Sequence, residues 1–221
     1  DTIVREKANA YDFHSVFTEL HDFCNSDLSA FYFDIRKDML YCDSLNSMPR
    51  RSTLIMMERC FKSLVAWIAP ILCFTADEAW LAYSGNPEDS IHLYEYQKMP
   101  VEWQNASLIK KWDKVRSIRS QVTAALESAR CDSIIGGSLQ ASVILSLPKA
   151  EAKLLSDIDL PALFITSDVQ IIDDNASQVT VDIHLAKGSK CARCWKILPE
   201  VSTNEDICMR CKDVIVGANI D

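Results

Sequence analysis

Residues 191–211 read CARCWKILPEVSTNEDICMRC, and this stretch specifies how the end of the chain folds. It holds two C-x2-C pairs, with thirteen residues between Cys194 and Cys208. Two such pairs can place four thiolates tetrahedrally around one ion, as in structural zinc sites. The segment has few residues for a core of its own, so metal binding would supply its folding free energy. We therefore predict one structural zinc ion per chain, bound by Cys191, Cys194, Cys208 and Cys211.

The same four cysteines have three alternative interpretations: two disulfides, a redox-active C-x2-C pair or an iron site. A redox pair normally begins a helix after a strand and needs no second copy. The other five cysteines are scattered singly in a chain with ample apolar residues, unlike a small secreted disulfide scaffold. We therefore expect a reducing compartment, the cytoplasm. Iron also accepts four thiolates and is the main alternative. Neither metal would keep an open coordination position, so the site is predicted to be structural.

Upstream, residues 1–130 carry apolar side chains at three- and four-residue spacing, the pattern of a helical bundle. Two successive helices are predicted between Tyr11 and Tyr41. We place the break between them near Asn25, because Ser26 or Asp27 could cap the second helix.

The next pattern, from Leu54 to Leu72, is apolar on most sides, so it is expected to lie at the centre of the bundle. Pro70 should kink or end this helix. Thr75 and Glu78 are predicted to form the capping box of a short helix that runs through Ala82 and is closed by Gly85-Asn86-Pro87. A long amphipathic helix is then predicted over residues 108–129.

The pattern changes after residue 130. Short apolar or alternating runs bounded by turn residues predict strands, with one helix between the first two; the strands are 141–147, 163–165, 169–172 and 179–185, and the helix is 149–158. The predicted fold is therefore mainly α, with three domains: a helical bundle (1–130), a small α+β domain (131–186) and a four-cysteine zinc ribbon or knuckle (187–221).

The net charge of −8 argues against nucleic-acid binding through a general positive field. Any such contact must be local. Trp195 could stack an unpaired base while nearby cations meet phosphates. The alternative is that Trp195 packs on the knuckle and the cations are solvated. The candidate RNA-binding residues are Trp195, Arg193, Lys196, Arg210, Arg50 and Arg51.

Catalytic signatures are missing from the sequence. It has no Gly-rich phosphate loop, no G-x-S-x-G elbow, no H-E-x-x-H and no paired-carboxylate signature. The four histidines show no spacing that would bring them together as ligands. No catalytic or organic-cofactor residue is therefore assigned.

Several stretches in order carry a family resemblance: YDFH (11–14), SAFYFDIRKD (29–38) and APILCFTADEAW (69–80). They resemble the helical anticodon-binding domain of class I aminoacyl-tRNA synthetases for branched aliphatic amino acids. GGSLQA (136–141) followed by KCARCW (190–195) narrows this to the C-terminal region of bacterial-type isoleucyl-tRNA synthetases. The adenylate-forming signatures and the editing domain of that family are absent, and the opening helix of the bundle looks truncated.

The resemblance implies part of a cytoplasmic enzyme that joins isoleucine to its tRNA using ATP. This region would bind the anticodon stem-loop of isoleucine tRNA, and it would be inactive without the catalytic and editing domains, which are its expected partners. The resemblance implies that Trp195 contacts a base. A monomer that binds no membrane is expected. The alternative function is a zinc-stabilised scaffold that docks on a protein partner or on the synthetase body.

Overall fold

A computed structural model describes residues 1–173, 176–202 and 205–218. Their internal contacts group the chain into two compact units. The first unit comprises Asp1–Asp34 and Leu45–Gln104, and the second comprises Ile35–Ser44 and Asn105–Asp221. The three-domain division drawn from the sequence stays a prediction. No helix in the described part of the chain combines the length and apolar character needed to cross a membrane.

The first unit is helical. Its elements are α1 (Thr2–Asn9), α2 (Phe13–Asp22), a π-helical segment (Phe23–Phe33), α4 (Met48–Ile68), α5 (Cys73–Ser84) and two 3₁₀ turns (Ile91–Leu93 and Val101–Trp103). The Asp12 side chain caps α2 by accepting a hydrogen bond from the Ser15 backbone N–H at 3.2 Å. Ser47 caps α4 in the same way through the Arg50 N–H at 3.3 Å. These caps satisfy amides that have no partner within the helix.

The core of the first unit forms around the C-terminal half of α4. Two clusters of buried side chains meet that half of the helix: Val65, Ala66, Ala69, Ala76, Trp80 and Ile91 in one, and Val4, Val16, Leu20 and Trp67 in the other. The Trp80 indole N–H donates to Asp89 Oδ2 at 2.9 Å, so the buried ring keeps its polar atom satisfied.

Three predictions for the first unit were wrong in detail. The backbone is helical without a break from Phe13 to Phe33, because the residues near Asn25 lie in π-helical turns instead of a cap. The N-terminal half of α4 is not central, since Leu54 is 46% exposed and Ile55 is 55% exposed. The α5 helix begins at Cys73 without a side-chain cap, so the predicted capping box lies inside it.

Two endings in this unit were predicted correctly. The α4 helix ends at Ile68, just before Pro70, which cannot continue the hydrogen-bond ladder. The α5 helix ends at Ser84, and the next residue, Gly85, adopts φ +66°, a left-handed conformation that costs glycine little.

The second unit is a three-stranded sheet with helices and a small ribbon. Its elements are α3 (Asp34–Cys42, from Ile35 on), α6 (Ala106–Cys131), a 3₁₀ turn (Ser138–Gln140), β1 (Ala141–Ser146), α7 (Lys149–Leu155), α8 (Leu160–Phe164), β2 (Asp168–Asp173), β3 (Thr180–Leu185), β4 (Ser189–Lys190), β5 (Ile197–Leu198) and α9 (Met209–Ala218).

The sheet has the order β2-β1-β3, with β2 parallel and β3 antiparallel to β1. Val143 lies at its centre, opposite Val169 on one side and Ile183 on the other. The inner face of β1 is fully buried. The α6 helix contacts β3, and the apolar stripe of α6 is also buried. The mainly α fold with a small sheet and a clustered cysteine tail is confirmed.

One predicted strand is a helix. Residues 163–165 follow Pro161, which lies in the first turn of α8, and Asp159 caps that helix by accepting from the Ala162 N–H at 3.1 Å. Leu163 and Phe164 are buried there. A short apolar run has no period that separates a buried strand from a buried helix, so the sequence pattern was ambiguous.

Candidate metal centre and its surface

The four cysteines of the two C-x2-C pairs converge at one point. Their Sγ atoms all lie within 4.8 Å of one another. The Sγ atoms of Cys194 and Cys208 are 3.8 Å apart. A tetrahedron with zinc–sulfur bonds of about 2.3 Å has an edge of about 3.8 Å, so this spacing fits a zinc ion. All nine cysteines are unpaired, so the structure does not contain the two-disulfide alternative.

Backbone hydrogen bonds shape the first pair. The Trp195 N–H donates to Cys191 O and the Cys191 N–H donates to Lys196 O, both at 2.9 Å. This tight turn places Trp195 at φ +68°, an uncommon conformation for a residue other than glycine. The antiparallel β4–β5 ribbon flanks the turn, with Lys190 opposite Ile197.

The second pair stands at the start of α9. Cys208 immediately precedes the helix and Cys211 lies in its first turn. The Cys208 N–H donates to the Cys191 Sγ at 3.4 Å, so backbone of one pair supports a ligand of the other. Val201 is buried in the same cluster, together with the four cysteines and Cys42.

Electrostatics also favour a cation at this point. Burial raises the pKa of Cys208 to about 12. At Cys191 burial acts in the same direction, but hydrogen bonds from the backbone N–H groups of Cys194, Cys208 and Arg193 outweigh it and lower the pKa to about 6. Four buried thiolates would repel one another unless a divalent ion compensated their charge. Zinc binding supplies that compensation and displaces the thiol protons.

Three of the predicted RNA-binding cations instead contact α3. Arg210 forms a bidentate pair with Asp38, with Nη1–Oδ2 at 2.6 Å and Nη2–Oδ1 at 2.8 Å. The Lys196 Nζ lies 3.8 Å from Asp38 Oδ2. Arg193 donates to the carbonyl oxygens of Cys42, at 2.5 Å, and Tyr41, at 3.0 Å. The RNA contacts of these three residues stay predictions, and each would have to compete with these bonds.

Trp195 itself is open to solvent. Its side chain is 59% exposed, and the Lys190 Nζ lies 5.3 Å from the ring centroid. Trp195 is one of the residues that line an open groove of about 380 Å³. The lining residues are Gly136, Gly137, Ser138, Leu139, Gln140, Lys190, Trp195 and Ile197.

Buried Ser167 joins the two sides of this groove. Its hydroxyl donates to Leu139 O at 2.5 Å and accepts from the Ile197 N–H at 2.7 Å. Sequence reasoning gave no role to Ser167, since a lone serine carries no signal. It also gave none to Lys190 or Gly137, although both lie in stretches that carry the family resemblance.

Arg50 and Arg51 belong to the other compact unit. Both lie near the start of α4, and Arg51 is exposed. The Arg50 Nε is buried and finds no hydrogen-bond partner among the described residues. Their contact with RNA stays a prediction.

Two stretches of the chain match families of known proteins. Residues 2–145 match the family described as "Anticodon-binding domain of tRNA ligase". Residues 188–214 match the family described as "Zinc finger found in FPG and IleRS". This second match and the four-cysteine cluster together support a structural zinc ion over the iron alternative.

Curated relatives are named as isoleucine–tRNA ligases. The chain is 39% identical over 218 residues to that of Gluconobacter oxydans, which covers 96% of this chain and 23% of the relative. It is 40% identical over 220 residues to that of Zymomonas mobilis (97% and 23%) and 40% identical over 215 residues to that of Agrobacterium fabrum (92% and 22%). The chain thus spans less than a quarter of the length of these relatives.

Proposed function

Because the chain belongs to the family of anticodon-binding domains of tRNA ligases, we propose that it binds the anticodon stem-loop of isoleucine tRNA. The zinc-finger match and the curated relatives support isoleucine as the amino acid. The parent enzyme would join isoleucine to that tRNA in the cytoplasm, using ATP at catalytic domains outside this chain. This chain would contribute binding, would be inactive alone and would act as a monomer.

Cys191, Cys194, Cys208 and Cys211 are the proposed zinc ligands. The ion would join the two cysteine pairs, whose connecting segment contributes one buried aliphatic side chain, Val201, among the described residues. Its role would be to hold the turn that presents Trp195. A closed set of four thiolates leaves no position for water or substrate, so the zinc would not take part in the chemistry.

The observation that carries the proposed function is the exposed Trp195 ring at the edge of a groove next to this metal centre. Anticodon bases are unpaired, so they can leave the stack and lie on an aromatic face. Stacking of this kind is worth about 1–3 kcal/mol per base. Lys190 stands beside the ring, where its charge could meet a phosphate.

Phosphate contacts elsewhere would give affinity without sequence choice. Arg50 and Arg51 are proposed for this role in the first unit. In the tail, Lys190 is the better candidate, because Arg193, Lys196 and Arg210 are engaged with α3. The second candidate function is a zinc-stabilised module that docks on protein. It is compatible with this engagement, because it does not require the tail cations to be free for phosphates.

The test compares Trp195→Ala and Trp195→Phe in the full chain, using an isoleucine anticodon stem-loop and one with an exchanged anticodon. A loss of about 1–3 kcal/mol corresponds to about 5- to 150-fold weaker binding for Trp195→Ala. Trp195→Phe keeps an aromatic face and should retain most of the affinity.

Trp103→Ala serves as the control, because Trp103 is 48% exposed and belongs to the other unit. The unmutated chain should bind the exchanged stem-loop more weakly. Equal affinity for both stem-loops would remove base reading from the proposal. If Trp195→Ala left RNA affinity unchanged but weakened binding to the isolated catalytic body, the docking alternative would stand instead.

A further inference from the structure

A carboxylate far away in the sequence anchors the zinc tail. Asp38 lies on α3, yet it accepts two hydrogen bonds from Arg210, 172 residues later, at 2.6 and 2.8 Å. Arg210 also reaches Asp43 Oδ1 at 3.2 Å. The parallel arrangement of two N–H···O bonds fixes orientation as well as distance. All of these residues belong to one compact unit.

The turn that presents Trp195 is held to α3 on both of its flanks. On one side, Arg193 donates to Cys42 O and Tyr41 O at the C-terminal end of α3, where carbonyl groups lack helical partners. On the other side, Lys196 lies 3.8 Å from Asp38. Trp195 thus sits between two residues that are tied to the same helix.

These charges are only partly accessible to solvent. The side chains of Asp38, Asp43 and Arg210 are 25%, 19% and 37% exposed. Burial alone would raise the pKa of Asp38, but hydrogen bonds from Arg210 and the charge of Lys196 lower it. Without the Asp38 carboxylate, the partly buried Arg210 would keep only its single contact with Asp43, which is more disruptive than losing an exposed pair.

Resting on the proposed RNA-binding function, we propose that Asp38 is a positioning residue: it fixes the zinc knuckle on α3 and thereby orients Trp195 toward the groove that receives a base. It acts through Arg210 and Lys196 and does not touch the RNA. Arg210 and Lys196, which the sequence suggested as RNA contacts, therefore serve to orient the aromatic ring.

The test is a double-mutant cycle with Asp38→Asn and Trp195→Ala, read as affinity for the isoleucine anticodon stem-loop together with zinc content. General electrostatics predicts that removing a negative charge tightens RNA binding in every background. Positioning predicts the opposite: Asp38→Asn should weaken binding about tenfold in the unmutated chain. In the Trp195→Ala background the same substitution should change binding by less than about twofold, because the effects of coupled residues are not additive. Zinc should remain at one ion per chain.

Unchanged or tighter binding by Asp38→Asn with zinc retained would overturn the proposal, and so would an equal loss in both backgrounds. Asp38→Glu keeps the charge and should recover part of the affinity. If Asp38→Asn lost zinc, Asp38→Glu would decide the matter, because it keeps the negative charge that Arg210 and Lys196 face. Asp38→Glu should retain zinc and restore part of the stem-loop affinity, and retained zinc without any recovery of affinity would contradict positioning.

A readout without RNA separates this inference from the proposed function. The chain has five tryptophans, and replacement by 5-fluorotryptophan gives each a ¹⁹F resonance, with that of Trp195 assigned by Trp195→Phe. Asp38→Asn should shift or broaden this resonance. If it does so while Trp195→Ala leaves RNA affinity unchanged, the RNA function fails and the positioning stands. An unchanged resonance would refute the positioning itself.

Discussion

The Sγ atoms of Cys194 and Cys208 lie 3.8 Å apart although fourteen positions separate the residues in sequence. Neither a disulfide nor a large apolar core brings them together, since Val201 is the one buried aliphatic side chain of their cluster among the described residues. A zinc ion bound at this point would hold the loop between the two pairs closed. The order of the tail should therefore depend on the metal.

Loss of a zinc ligand should unfold the tail while the rest of the chain stays folded. Cys208→Ser is expected to lose the one zinc per chain, measured by elemental analysis, and to make the tail sensitive to protease. Cys131→Ser is the matched control, because Cys131 is exposed and lies outside the cluster. A metal-free tail that stayed ordered with free thiols would refute the zinc assignment. Coloured protein containing iron would show that the site binds iron instead of zinc.

Filling the groove beside Trp195 should weaken stem-loop binding. A Cβ added at Gly137 meets no atom within 4 Å, so Gly137→Leu should fold normally while its side chain occupies the groove. Loss of one stacked base predicts about 5- to 150-fold weaker binding. Gly217→Leu on α9 adds the same side chain where a Cβ also meets nothing within 4 Å, and it should bind as the unmutated chain does. Equal affinities for the two variants would count against the groove.

Truncation at the centre of the sheet should be costly. Leu145 is fully buried on β1, so Leu145→Ala removes packing and leaves a cavity, which typically costs about 2–5 kcal/mol. Leu185 on β3 is 59% exposed, so Leu185→Ala should change the free energy of unfolding by less than about 0.5 kcal/mol. Denaturant unfolding of zinc-loaded protein measures both. Similar values for the two would mean that β1 does not form the core.

Acid should loosen α2 through its cap. Hydrogen bonds from the side chain and backbone N–H of Ser15 lower the pKa of Asp12 in the folded chain. The cap is therefore fully effective above the unfolded pKa of Asp, about 3.9, and is lost as the pH falls through the lower folded value. Asparagine caps about as well but does not titrate, so Asp12→Asn should keep α2 protected at low pH.

Hydrogen exchange of the peptide covering Phe13–Asp22, corrected for its intrinsic rate, measures this protection at pH 5 and at pH 3. The two proteins should agree at pH 5, and at pH 3 the unmutated chain should exchange faster. An identical fall in protection for both would mean that Asp12 does not contribute the acid sensitivity. The peptide belongs to the first unit, whereas the zinc tail belongs to the second.

Prediction from sequence succeeded where one local signal outweighed its competitors. Two C-x2-C pairs have few chemical uses, and Pro70 and Gly85 end helices for reasons of backbone geometry alone. It failed where two conformations share one local pattern. Leu163 and Phe164 suit a buried strand as well as a buried helix. The polar residues near Asn25 suit a helix cap, but they lie within π-helical turns.

The sequence by itself determined the mainly α fold, the family and the clustering of four cysteines in the tail, because these depend on residue type and short spacing. Only the tertiary structure decided what the cations of the tail contact and which residues face Trp195. Arg210 meets Asp38 across 172 positions, and Ser167 pins Leu139 to Ile197. Such pairings arise when distant segments pack together, and no spacing within a single segment encodes them.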